Sequence, residues 1–271
     1  MPEDSLPTHM IQGSLEHILF ITLAVSIDYQ RDANSLWQSA CRTYADPETT
    51  YLFLPEKLFN KSVEAITKDM QKYKLSKKPR RDAFIWRTVA LSFLKTWHGD
   101  PQEFLRDCGW DALEILSRLK SDTHIEQGRL RHEFPYLRGK KIGSLWVRML
   151  RDNIGISHLK NLNRVPIPVD IHVARASLAL GVVRGKYLGS LEPIFEKIRE
   201  VWFKSTQGLS FGRREMIALD LDKPLWNLSK YGCADRSADS NDCPHKHECS
   251  VQDLCVSGKI TIRNTKVELD T

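Results

Sequence analysis

Residues 134–175 read FPYLRGKKIGSLWVRMLRDNIGISHLKNLNRVPIPVDIHVAR, and this stretch limits the possible folds more than any other. Ile142, Leu145, Trp146, Met149 and Leu150 recur on one helical face, so 142–150 is expected to be a helix. Leu137-Arg138-Gly139 makes the turn into it. Such an entry leaves the first backbone N–H groups without helical partners, which suits a phosphate, and Lys140 and Lys141 stand at that mouth. Val165-Pro166-Ile167-Pro168 cannot be helical, because each proline lacks a donor and pushes its predecessor to extended geometry. Asp170 follows where a helix can begin, with its carboxylate near the positive end of an expected helix over 171–183.

Helical spacing recurs along the rest of the chain. It predicts a buried helix over 14–26 capped by Ser14, and a second over 33–44 with Leu36, Trp37 and Ala40 on one face. One or two more are expected over 55–73, then a strongly apolar one over 84–97 stopped at Gly99, and another over 104–120. Beyond 171–183 the pattern predicts helices over 191–203 and 213–221. No period-two strand of any length stands out, so the expected fold class is all-α. With 271 residues the chain can bury a substantial core, as one large domain or two lobes sharing a cleft.

A net charge of +6 is compatible with a polyanionic partner without establishing one. Lys77, Lys78, Arg80, Arg81 and Arg87 crowd one turn and the helix start after it, and form either a phosphate grip or a solvated face. Residues 1–12 carry Glu3 and Asp4 and lack the basic start and apolar core of an export signal. The apolar run 18–27 is shorter than the roughly 20 residues a bilayer requires. A soluble, intracellular protein with no membrane partner is therefore expected.

Four of the six cysteines fall in the tail, as Cys233-x9-Cys243-x5-Cys249-x5-Cys255 after WNLSKYG, whereas Cys41 and Cys108 are isolated and read as buried core thiols. Disulfides do not fit a chain without an export signal. Zinc usually takes cysteine pairs a few residues apart, and no such pair occurs, although His245 and His247 keep that alternative open. A [4Fe–4S] cluster takes four thiolates at more permissive spacing and stands open beside zinc.

FPYLRGKKIGS and VDIHVAR resemble the helix-hairpin-helix DNA glycosylases, the superfamily of endonuclease III. There a turn of the form LPGVGRKTA carries a catalytic lysine and VDTHxxR a catalytic aspartate, so the resemblance puts Lys141 and Asp170 in those roles. The hairpin here is one residue longer and keeps one glycine, and Lys141 and Asp170 are further apart than in endonuclease III. These departures and the Ile-Pro-Val-Asp approach look like the archaeal 8-oxoguanine glycosylase branch. Endonuclease III-like enzymes end in an iron–sulfur segment of spacing C-x6-C-x2-C-x5-C, of which only the last interval matches, Cys249 to Cys255; the resemblance implies a [4Fe–4S] cluster on Cys233, Cys243, Cys249 and Cys255 as the expected cofactor, with zinc the alternative.

The resemblance implies two helical lobes flanking a DNA-binding cleft: 1–31 packing with the C-terminal lobe, 32–130 as a barrel-like lobe, and 131–271 holding the hairpin, Asp170 and the cluster segment. It implies DNA contacts from Arg138, Gly139, Lys140 and Gly143 in the hairpin, and Tyr29 or Gln30 filling the hole left by an extruded base. The loop 234–242 sets Arg236 against Asp235, Asp239 and Asp242, which leaves Lys246 as the tail's candidate for the DNA backbone. His172, one turn into its helix, reads as a structural residue.

The implied function is that of a bifunctional glycosylase/AP lyase acting as a monomer on double-stranded DNA. A stacked base must first be extruded, at a cost of about a few kcal/mol. Lys141 then attacks the sugar C1′, Asp170 steadies the oxocarbenium-like sugar, and the Schiff base allows β-elimination; Lys140 is the alternative nucleophile. The base is 8-oxoguanine or an oxidised pyrimidine on the two branches of the resemblance. The alternatives are a glycosylase against modified bases in foreign, phage DNA, and a non-catalytic iron–sulfur protein that binds DNA as a redox sensor.

Overall fold

The sequence LEHILFITLAVS has almost no polar face, and it forms the helix around which the first part of the molecule is built: α1 (Leu15–Ser26), with every residue from His17 onward buried. The computed structural model describes residues 1–126, 128–238, 242–263 and 265–271. They fall into two compact units, Met1–Leu162 and Asn163–Thr271. That boundary divides the segment 131–271 expected as one lobe, because the lysine hairpin packs with the N-terminal helices.

In the first unit Ser14 caps α1, its hydroxyl accepting from the His17 amide at 3.2 Å, and Asp32 caps α2 (Ala33–Ala45) through the Ser35 amide at 2.9 Å. Then come α3 (Pro55–Phe59), α4 (Val63–Gln71), α5 (Pro79–Trp97), α6 (Pro101–Asp107) and α7 (Ala112–Ser121). The single helix expected over 104–120 is two. Gly109 and Trp110 both take left-handed backbone (φ +60° and +58°), and Asp111 starts a new helix by accepting from the Leu113 amide at 2.8 Å. A hairpin of β1 (Thr123–Glu126) and β2 (Arg129–His132) leads on to α8 (Lys140–Met149), which runs into one π turn at Leu150–Ile154.

The core of this unit is aromatic as well as aliphatic. Phe20 stacks on Phe53 at 5.3 Å, and Phe53 meets Trp86 edge-on at 5.1 Å. Phe134 is fully buried against Phe93 (5.3 Å) and Phe104 (5.2 Å). Full burial of such side chains contributes about 1.5–3 kcal/mol each. Phe134 therefore anchors the hairpin entry in the core.

The second unit comprises α9 (Ile171–Ala179), β3 (Lys186–Ser190), α10 (Leu191–Thr206), β4 (Ser210–Phe211), β5 (Arg214–Glu215), α11 (Asp222–Tyr231), β6 (Lys259–Arg263) and β7 (Lys266–Asp270). Helix α9 ends four residues before the expected 183, since Gly181 turns left-handed (φ +70°) and the Val182 amide reaches back to the Ser177 carbonyl at 3.0 Å. The helix expected over 213–221 is instead the β4–β5 hairpin, turned at Gly212 (φ +63°), and a 3-10 turn at Ala218–Leu221. Strands β3, β7 and β6 form an antiparallel sheet in that order, with Ile260 opposite Leu269 and Ser190 opposite Lys266. The described residues are thus mostly helical, but these short strands correct the expectation of none.

Candidate functional site

Lys140 and Lys141 occupy the first turn of α8 with no acidic residue beside them in that turn, and the N-cap Gly139 supplies no side-chain acceptor. Cations at the positive end of a helix are unfavourable by about 0.3–1 kcal/mol, so this turn is charged against its own dipole and suits an anion. For Lys141 the conflict is offset by Asp28, whose Oδ2 accepts from Nζ at 3.1 Å. Asp28 is 6% exposed and Lys141 half-buried, so the pair is largely shielded from water. Lys140 is exposed.

Three segments far apart in sequence meet here within the first unit. Tyr29 stacks on Tyr136 at 4.2 Å with the rings 24° from parallel, and the Arg81 guanidinium lies over both, 5.5 and 4.9 Å from their centroids. Lys78 Nζ sits 5.1 Å from the Tyr29 ring and donates to Gln30 Oε1 at 2.6 Å, while Lys77 donates to the Gln30 carbonyl. Asp82, 1% exposed, ties the cluster down: its carboxylate accepts from the Tyr29 hydroxyl, the Ser76 hydroxyl (2.7 Å) and the amides of Lys77 (2.9 Å) and Lys78 (2.8 Å). Burial, then the Asp82 hydrogen bond, push the Tyr29 phenol up, so it stays a donor. Burial pulls the Arg31 guanidinium down, against the opposing fields of Asp28 and Asp82.

The other hairpin residues are placed as follows. Tyr136 takes left-handed backbone (φ +67°), and the turn closes through the Gly139 amide on the Tyr136 carbonyl at 2.9 Å; Arg138 is exposed. Gly143 is buried inside α8, where an added Cβ would lie 2.9 Å from the Leu137 carbonyl oxygen, which gives it a packing role. Tyr29 is half-buried and already stacked, and Gln30 is exposed in left-handed backbone (φ +51°).

Asp170 belongs to the second unit. Val165, Ile167 and Val169 are buried, which fixes the extended approach, and Asp170 then caps α9, Oδ1 accepting from the Val173 amide at 2.9 Å. His172 packs against Trp226 (5.1 Å) with Nδ1 3.4 Å from the Ser229 hydroxyl, and Arg175 donates to that hydroxyl at 3.2 Å. These contacts join α9 to α11, the helix that delivers Cys233.

Cys233, Cys243, Cys249 and Cys255 all line one cavity of about 320 Å³ in the second unit. Burial, then the neighbouring Cys255, Cys249 and Cys243, push the Cys233 thiol up to about 11, and burial with Cys249 raises Cys255 as well. Arg236 closes the loop from inside, donating to the carbonyls of Val256 (3.1 Å) and Gly258 (3.0 Å). His245 also lines the cavity but has Nε2 2.8 Å from Asp235 Oδ2; His247 is exposed and outside the lining. Lys246 is exposed at the rim, and Asp239 lies outside the described residues. Among the described residues no three His, Cys, Asp or Glu side chains stand close enough to hold a metal ion as they are. The four thiols thus share one cavity without being gathered around a single point. Cys108 is a buried core thiol as expected, pushed up to about 11, whereas Cys41 is half-buried rather than fully so.

No family model matches this chain, and no curated protein matches it. No helix among the described residues is long and apolar enough to cross a membrane.

Sequence reasoning missed Asp28, Asp82 and Tyr136 as parts of one site and left Arg81 as either a phosphate grip or a solvated side chain. Asp82 had a local signal, a carboxylate in the first turn of a helix opened by Pro79. The Tyr29–Tyr136 stack had none, because it joins residues that only the fold brings together.

Proposed function

We propose that the chain is a bifunctional DNA glycosylase/AP lyase with a helix-hairpin-helix lysine turn, in which Lys141 is the nucleophile and Asp170 the carboxylate that steadies the sugar cation. The observation that carries this reading is Lys141 at the uncapped start of α8, held by Asp28 beside stacked Tyr29 and Tyr136 and a crowd of cations. A solvated charge run would leave its lysines in water. Here a half-buried amine stands in a helix mouth that favours phosphate oxygens, in a unit whose neighbouring tyrosines are stacked on each other and covered by cations.

In this reading Lys77, Arg80, Arg81 and Lys140 hold the DNA backbone, and Tyr29 and Tyr136 act as an aromatic wall rather than as a wedge. Gln30, exposed at the loop tip, remains the residue for the hole in the duplex. Asp170 keeps Oδ1 on the α9 cap, and its charge is what this reading assigns to the developing cation. The four cysteines would hold a [4Fe–4S] cluster, which when bound ties loop 233–255 to α11 as a structural element. Zinc is the lesser fit, since His245 is turned to Asp235.

The test is borohydride trapping on a panel of duplexes, each with one lesion: 8-oxoguanine, an oxidised pyrimidine, or an enlarged modified base. A covalent protein–DNA adduct that disappears in Lys141→Ala is the expected result. No adduct on any duplex, with DNA affinity that changes on oxidation, would establish the redox-sensing reading instead.

A further inference from the structure

The carboxylate that meets Lys141 within its own unit comes from the loop after α1. Asp28 Oδ2 lies 3.1 Å from Nζ, and the Asp28 carbonyl oxygen lies 3.4 Å from it. Two oxygens of one residue thus fix the amine in direction as well as distance. We propose that Asp28 is the positioning residue of the lysine: it orients the ammonium in the resting protein and takes its proton when DNA arrives. The inference rests on Lys141 being the nucleophile.

An exposed ion pair needs no special explanation, but this carboxylate is buried, where a charge is costly unless it is paired. The groups facing it are Lys141 from α8 and Arg31 from its own loop, and Arg31 also feels the fields of Asp82, Tyr29 and Asp32. Asp170, by contrast, spends Oδ1 on the Val173 amide.

The step balances on an abasic sugar. The Lys141 ammonium gives one proton to the Asp28 carboxylate, leaving a neutral amine and a carboxylic acid. The amine lone pair forms the N–C1′ bond to the sugar aldehyde. The carbonyl oxygen leaves as water, taking one hydrogen from the amine and one proton that Asp28 returns through solvent. The product is a protonated Schiff base with Asp28 again ionised.

The experiment uses the full chain and a duplex with one abasic site, which makes the result independent of base choice. Rates of borohydride trapping are measured from pH 6 to 9 and expressed per folded molecule by circular dichroism. Asp28→Asn should trap about a hundredfold more slowly at pH 7. Its rate should climb roughly tenfold per pH unit, as only amine that has lost its proton to solvent can react. Asp28→Glu should recover to within about tenfold of the wild type. An Asn variant with the wild-type rate and pH profile overturns the proposal while leaving the nucleophile in place. If instead the wild type traps nothing, or Lys141→Ala traps normally, the nucleophile itself is wrong and the role of Asp28 falls with it.

Discussion

His17 shows how a single buried residue sets a condition on the fold. It is 1% exposed, and its Nδ1 accepts from the Gly13 amide at 3.1 Å, so the ring is held as the neutral tautomer. A proton on Nδ1 would face that N–H, and burial lowers the ring to about 4 from an ordinary 6.5. Above pH 6.5 neither state binds the proton and the residue contributes nothing to the pH dependence. Between 6.5 and 4 the unfolded chain protonates and the folded one does not, so stability falls by about 1.4 kcal/mol per pH unit, roughly 3 kcal/mol in all. His17→Gln, which keeps an acceptor for Gly13, should flatten that limb. Urea unfolding at pH 7 and pH 4.5 measures it, and equal losses in both proteins would show that His17 is not the group responsible.

Element by element, the sequence was clearest where local chemistry decides. Ser14 before an apolar run gave the start of α1 to the residue, and prolines 166 and 168 gave the extended lead-in to α9. It was least clear where partners are distant. KITIR and KVELD alternate apolar and polar residues, but at five residues each, with lysine and acidic side chains on the open face, β6 and β7 carry too little apolar period to stand out until β3 pairs with β7. The break between α6 and α7 was hidden because Trp110 rather than a second glycine takes the left-handed position. The lysine turn and the four cysteines were legible as motifs, whereas Asp28, which holds Lys141, is 113 positions away, and it brings with it Tyr29 and the Asp82 that lies 53 positions from Tyr29. At α9 the motif and the element can be separated by experiment. Asparagine caps a helix as well as aspartate does, while alanine costs about 1 kcal/mol. Asp170→Asn should therefore melt like the wild type and Asp170→Ala lower, yet both should lose base excision if the charge is what the sugar cation requires. Full excision by Asp170→Asn would reduce Asp170 to a cap.

For the whole molecule the deciding quantity is where its charge lies. The 40 basic residues face 34 acidic ones, so the net +6 is a small remainder of two nearly equal sets and cannot by itself hold a duplex. What the fold adds is concentration: Lys77 and Arg81 join the first unit's candidate site, and Arg80 and Lys140, chain neighbours of Arg81 and Lys141, are exposed at the start of α5 and the mouth of α8. Each phosphate neutralised on B-DNA contributes about −0.9 to the slope of log K against log salt. Four such contacts predict a slope of roughly −3 to −4 for undamaged duplex. Lys77→Gln should weaken binding to every sequence alike and make that slope shallower by about 1. Lys186→Gln, which removes an equal charge from the edge strand β3 of the second unit, should leave it unchanged. Fluorescence anisotropy across a salt series separates the two possibilities, because binding driven by net charge would respond equally to both substitutions.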